Sequence, residues 1–118
     1  MEKTSTGLTE NVAGLLSYVL WWVSGIVFLL IEKENKFVRF HAMQSIIVFA
    51  AISILQIILG VLGSIPFIGL IFIILYYIVW LLSVILWIVL MVKAYQGTRF
   101  KLPVSGDLAE KWTGQAAQ

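Results

Sequence analysis

Long apolar runs separated by short charged stretches set the plan of this chain. Residues 1–11 are polar, with Glu2, Lys3 and Glu10 as the charged positions. Val12 to Ile31 carries no charge, and at 1.5 Å rise per residue this run predicts a helix of about 30 Å, the hydrocarbon thickness of a bilayer. Thr9 is a plausible N-cap, and Glu10 sits well against the positive end of the helix dipole. A dense island of charge follows, from Glu32 to Arg39.

Between Arg39 and Lys93 there is no Asp, Glu, Lys or Arg. As one helix this stretch would be about 80 Å long, too long for one crossing and too short for three crossings with turns. The run Gly60 to Gly69, with Gly63 and Pro66 inside it, supplies the break, because proline removes a helix donor and glycine accepts turn backbone. The prediction is an all-α integral membrane protein with three transmembrane helices at about 12–31, 41–62 and 68–92. A basic loop spans 32–40 and an apolar hairpin spans 60–69, which either dips into the membrane surface or lies under a neighbouring helix.

A basic and aromatic stretch, Lys93 to Lys101, follows the last span and suits the headgroup region. Gly97 is a reasonable helix stop. Asp107 as N-cap, Glu110 reaching back, and Leu108 and Trp112 one turn apart predict a short amphipathic segment before a tail at 113–118. One membrane domain, 12–112, accommodates all of this. The polar start lacks the layout of a cleaved signal, so the first run reads as a retained span.

Composition agrees with that picture. Hydrophobic residues make up 61% of the chain and charged residues 12%, against about a quarter charged in a soluble domain. A net charge of +2 is too small and scattered for a nucleic-acid surface. With no Cys there is no disulfide framework and no thiolate chemistry.

Within the first run Gly14, Ser17, Tyr18, Trp21, Ser24, Gly25 and Phe28 recur at spacings of three and four, and the line reaches Glu32. Small and hydroxyl-bearing stripes of this kind face protein rather than lipid. The second run places His41, Ser45, Ser53, Gln56 and Gly60 on one side. Gln56, a primary amide near mid-span, marks either an interhelical hydrogen bond or the wall of a polar path. Gln44 points elsewhere, near the interface. In the third run Gly69, Phe72, Tyr76, Trp80, Ser83, Trp87 and Ala94 align, and Tyr76, Tyr77, Trp80 and Trp87 are expected to wedge against Tyr18 and Trp21.

The loop reads first as electrostatics. Glu32 and Lys36 fit an i, i+4 pair, Lys33, Lys36 and Arg39 lie beside the membrane, and Phe37 and Phe40 dip toward the interface. His41 is the only histidine, and with no second ligand in view it is not a metal residue. For three spans, Lys33, Lys36, Arg39, Lys93, Arg99, Lys101 and Lys111 share one side, against Lys3 on the other. The positive-inside rule then puts the loop and C-terminus in the cytoplasm and the N-terminus and hairpin outside the cell membrane.

The loop from Glu32 through Phe40-His41-Ala42-Met43-Gln44-Ser45, together with Lys93-Ala94-Tyr95-Gln96-Gly97, resembles a family of small uncharacterised prokaryotic membrane proteins grouped with the twenty-kilodalton subunit of the chloroplast inner-envelope translocon. The resemblance runs from about Thr6 to Lys111. It implies a membrane scaffold or channel-forming role linked to protein translocation, and it brings no functional residues with it.

Two function classes emerge from the residues. One is a structural or assembly component packing with itself or other membrane proteins through the stripe that includes Gly14, Trp21 and Gly25. The other is an oligomeric channel or carrier for a small solute or ion, with a path near His41, Ser45, Ser53 and Gln56. No nucleophile and base, carboxylate pair or metal set can be assembled, so neither enzyme activity nor a cofactor is expected. The expected partners are the lipid bilayer, further copies and other membrane proteins.

Overall fold

The computed structural model describes residues 4–114, so Glu2, Lys3 and the end of the predicted tail, 115–118, lie outside the described residues. The described residues form five helices: α1 (Glu10–Val19), α2 (Trp22–Ile31), α3 (Lys36–Leu62), α4 (Gly69–Tyr95) and α5 (Ser105–Trp112). The molecule is elongated, 55 × 24 × 21 Å, with α3 and α4 as an antiparallel pair along its length. These two helices are each long and apolar enough to cross a membrane.

The expected continuous span at 12–31 is instead two ten-residue helices. They break at Leu20-Trp21, where Trp21 takes φ +66° and ψ −134°, a backbone shape rare outside glycine. The chain turns back on itself there. Ser5 N donates to Glu32 Oε1 at 2.9 Å and Asn35 Nδ2 to Glu10 Oε2 at 2.9 Å, so the start of α1 and the end of α2 lie at the same end of the molecule. Gly14 packs at the level of Phe37 and Ala94, whereas Trp21 lies 4.2 Å from the Phe49 ring and 6.4 Å from that of Trp87. The α1–α2 unit therefore descends about halfway along α3 and α4 and returns, each arm about 15 Å long.

Of the other expected spans, α4 shifts by a turn or less, whereas α3 begins five residues early. Thr9 holds the cap position of α1 with extended backbone but makes no side-chain cap bond. Helix α3 begins at Lys36, because the Asn35 side chain accepts from Val38 N at 3.0 Å and caps it. The basic loop is thus only 32–35, and Lys36, Phe37, Arg39 and Phe40 are helical. Phe40 is fully buried beneath the Arg99 guanidinium, 5.0 Å from its ring centroid, rather than at the lipid interface. The turn between α3 and α4 spans 63–68, with Phe67 97% exposed at its tip, so no helix covers it. Gly69 is required here: a Cβ would sit 2.5 Å from the Gly63 carbonyl oxygen.

The expected amphipathic segment is present as α5. Asp107 lies in its first turn rather than at the cap, and Lys101 Nζ pairs with Asp107 at 3.0 Å and Glu110 at 2.8 Å. Those pairings, Glu110 first, hold the Lys101 pKa above the usual lysine range. Tyr18, Val48, Phe49, Leu90 and Ala94 form the apolar core, all in the half of the molecule that contains α1 and α2.

Candidate functional site

The turn at Leu20-Trp21 interrupts two helices beside α3 and α4, and backbone groups freed there need partners where water is excluded. Side chains satisfy them here. Leu20 N donates to Ser24 Oγ at 3.0 Å, and that hydroxyl donates to Ser17 O at 3.0 Å. Ser45 Oγ donates to Trp21 O at 2.7 Å, and Trp87 Nε1 to Tyr18 O at 2.6 Å. Ser45 and Trp87 thus hold the tip of the α1–α2 hairpin rather than line a path.

At the charged end a second network ties four segments together. The Tyr18 hydroxyl lies 2.7 Å from His41 Nδ1 and accepts from Gln44 Nε2 at 3.0 Å. The phenol therefore donates to Nδ1, which leaves the proton on Nε2 to donate to Thr98 O at 3.2 Å. Gln44 also donates to Phe100 O at 2.9 Å and accepts from Leu102 N at 3.0 Å. Tyr18, His41 and Gln44 are fully buried, and together they clamp the segment 98–102, and α5 after it, onto α1 and α3. This amide was expected near the interface, on another face; it is the hub of the network.

Glu32 and Arg39 close the loop. The Glu32 carboxylate is buried and accepts from Ser5 N and Oγ, Glu34 N and Asn35 N at 2.7–3.1 Å. Burial alone would raise its pKa, but the bonds from Ser5, Asn35 and Glu34 outweigh that and hold it below the ordinary 4.5. Arg39 Nη1 donates to Leu29 O at 2.9 Å and Glu32 O at 2.7 Å, capping α2 where its dipole is negative. Arg39 is a helix cap rather than a headgroup anchor.

Glu32 carries a pH prediction. Because its folded pKa is depressed, its stabilising contribution is complete above the unfolded value of about 4.5 and is lost as pH falls through the folded value. The unfolding midpoint of the wild type in micelles is expected to fall between neutral pH and about pH 3 by more than that of Glu32→Gln. Parallel pH curves for the two proteins would sink this assignment.

The remaining candidates separate in space. Gly14 and Gly25 face the chain's own helices: a Cβ at Gly14 would meet Phe37 and Ala94, and one at Gly25 would meet the Ala42 carbonyl oxygen. Ser17 donates to Ala13 O. The stripe expected to join copies is thus used within one chain. Ser53, Gln56, Trp80 and Ser83, with Trp21 and Tyr76, line a groove of about 310 Å³ beyond the hairpin tip. Ser53 and Ser83 bond carbonyls of their own helices. Gln56 Oε1 is buried and makes no hydrogen bond. Trp80 and Tyr77 are more than half exposed, so Trp87 alone of the four expected aromatics bonds α1. Gly60 approaches only Tyr76, at 3.9 Å. Lys36, Lys93, Arg99 and Lys101 all lie at the charged end, where Arg99 also pairs with Glu110 at 3.5 Å. Among the described residues, no three His, Asp or Glu side chains gather where a metal could sit.

The sequence profile of the magnetosome magnetite crystal formation protein family matches residues 2–109. The chain belongs to that family. Among its relatives, a UPF0132 membrane protein of Methanocaldococcus jannaschii is 50% identical over 120 residues, covering 96% of each chain. A second from that organism is 48% identical, covering 90% of this chain and 71% of its own length. A UPF0132 membrane protein of Archaeoglobus fulgidus is 51% identical over 107 residues, covering 91% of this chain and 98% of its own. No solved structure matches the chain. Nothing in these likenesses links the chain to the chloroplast translocon subunit, which corrects that part of the resemblance. The relatives are named membrane proteins, and with two helices apt for crossing, this is a membrane protein of an uncharacterised family.

Proposed function

We propose that this chain is a non-catalytic structural component of the cell membrane, with two full crossings and both termini on the cytoplasmic side. The observation that carries the reading is the gathering of charge at one end. Every described Lys and Arg (Lys33, Lys36, Arg39, Lys93, Arg99, Lys101 and Lys111) lies at the end where Ser5 bonds Glu32. The opposite end, 63–68, carries none. The positive-inside rule then turns the whole charged end to the cytoplasm. This reverses the sidedness expected for the N-terminus from three spans, because a re-entrant hairpin returns the chain to the side it came from.

The family description speaks of magnetite crystal formation. What this chain shares with such members, in our reading, is a membrane scaffold rather than contact with mineral, since its buried polar groups serve hairpin and clamp. Its partners are lipid, further copies and other membrane proteins. Single cysteines placed at Leu8, Glu34, Ser105 and Ser64, in a chain with no native Cys, test the sidedness. In intact cells an impermeant thiol reagent is expected to label the Ser64 position and spare the other three. Labelling at Leu8 would overturn the arrangement.

One observation favours a second reading, a solute path, namely the unpartnered Gln56 carbonyl in its groove. Flux through liposomes that Gln56→Leu abolishes while folding is preserved would support it; absence of flux in both proteins would remove it.

A further inference from the structure

The two halves of the membrane domain differ in cross-section. Toward the charged end α1, α2, α3 and α4 pack side by side, and α5 lies against α3. Beyond the level of Phe49 and Trp87 only α3 and α4 continue. Burial records the change: the buried residues of α3 run from Val38 to Phe49 with Leu59 alone beyond them, whereas Ile57, Val61, Leu70 and Ile71 are 64–67% exposed.

The re-entrant hairpin is built to sit in hydrocarbon. Its outward residues are apolar, with Leu20, Val23, Val27 and Leu30 exposed by 46–66%. Its turn leaves few backbone groups needing water, because Ser24, Ser45 and Trp87 satisfy them. Arms of about 15 Å reach roughly the middle of a 30 Å hydrocarbon layer and no farther. Two helices of 10–12 Å diameter therefore add about 200 Å² to one leaflet and nothing to the other. Headgroup-side α5, with Trp112 57% exposed, widens the same leaflet further.

We propose that the protein is a membrane-shape element, a wedge whose ligand is a bilayer curved so that the leaflet holding α1 and α2 is the convex one. A wedge is accommodated with less lipid strain where its wide end faces the expanded leaflet, and differential affinity for the two curvatures sorts it there and, at high density, stabilises that shape. With the sidedness proposed above, this favours membrane bulging into the cytoplasm. The wedge itself rests on the hairpin geometry and not on which side faces the cytoplasm.

The test uses the full chain with Ser105→Cys, inserted into preformed phosphatidylcholine and phosphatidylglycerol vesicles of decreasing diameter. In the smallest vesicles protein per lipid is expected to rise about threefold over large ones, and the cysteine should become accessible from outside in most molecules, because the outer leaflet is convex. Density and accessibility that do not change with diameter, as for a cylinder, would overturn the proposal. So would enrichment with the cysteine inside. Labelling in cells tests sidedness alone, so the two readings fail separately.

Discussion

Gly25→Leu is expected to detach the α1–α2 hairpin from α3 at a cost of about 3 kcal/mol or more, at or above the top of the usual range for core overpacking. A Cβ at this position would lie 2.7 Å from the Ala42 carbonyl oxygen, 3.0 Å from Ser45 Cβ and 3.1 Å from Ile46 Cγ1. The first of these atoms is backbone in the middle of α3 and has nowhere to go. Even alanine would push the helices apart, and leucine adds three further carbons. Gly14 makes a useful contrast, because its nearest obstacle is the Phe37 ring edge at 2.9 Å, and a side chain can turn aside. Gly14→Ala should therefore cost less than Gly25→Ala. Denaturant unfolding in micelles, followed by the fluorescence of Trp21 and Trp22, measures both. An unfolding midpoint for Gly25→Leu equal to that of wild type would show that α2 does not pack on α3 as described.

The two long helices were legible because apolar composition over 27 residues admits few alternatives, and because Gly63 and Pro66 mark the turn between them. The break at Leu20-Trp21 was not. Val19-Leu20-Trp21-Trp22 holds neither glycine nor proline, and twenty apolar residues satisfy one full crossing or two half-crossings equally well. What selects the two short helices is tertiary: Ser45 and Trp87, far away in sequence, supply the hydrogen bonds that the turn needs. A weak signal was present in Glu10 and Glu32, acidic residues flanking the run with partners for each other's segments. The two glycines of the stripe pack against the chain's own helices, because one chain folded back supplies its own neighbour, and no second copy is needed to cover them.

Gln44 was misplaced for a related reason. Reading the helix from His41 leaves this amide in the first turn, near water. The Asn35 cap starts α3 five residues earlier, and His41, Gln44 and Ser45 then lie at i, i+3 and i+4 on the face turned toward α1 and the segment 98–102. Spacing alone would have grouped the three. The cap that gives the grouping its depth depends on Asn35 accepting from Val38 N, which a sequence permits without requiring.

The clamp makes Gln44→Leu the second variant with a large expected effect. Leucine fills much of the amide's volume but offers neither donor nor acceptor, so Leu102 N and Phe100 O lose partners now held at 3.0 and 2.9 Å. Each buried backbone group left unpaired costs about 1–3 kcal/mol. Phe100 and Leu102 are half-buried, so hydration of those groups improves when the segment 98–102 lifts off α3, and Gly106, whose Cβ position lies 3.2 Å from Gln44 Oε1, would lift with it. The expected result is loss of the docked state over residues 98–112, a change of roughly 3 kcal/mol in their local stability, while α3 and α4 hold. Tyr18 and His41 keep their mutual hydrogen bond, so the hairpin should remain in place. Hydrogen exchange in nanodiscs distinguishes the outcomes: fast exchange confined to 98–112 supports the clamp, and protection equal to wild type there would mean that the C-terminal segment is held instead by the His41 bond to Thr98 O and the Arg99 contact with Phe40.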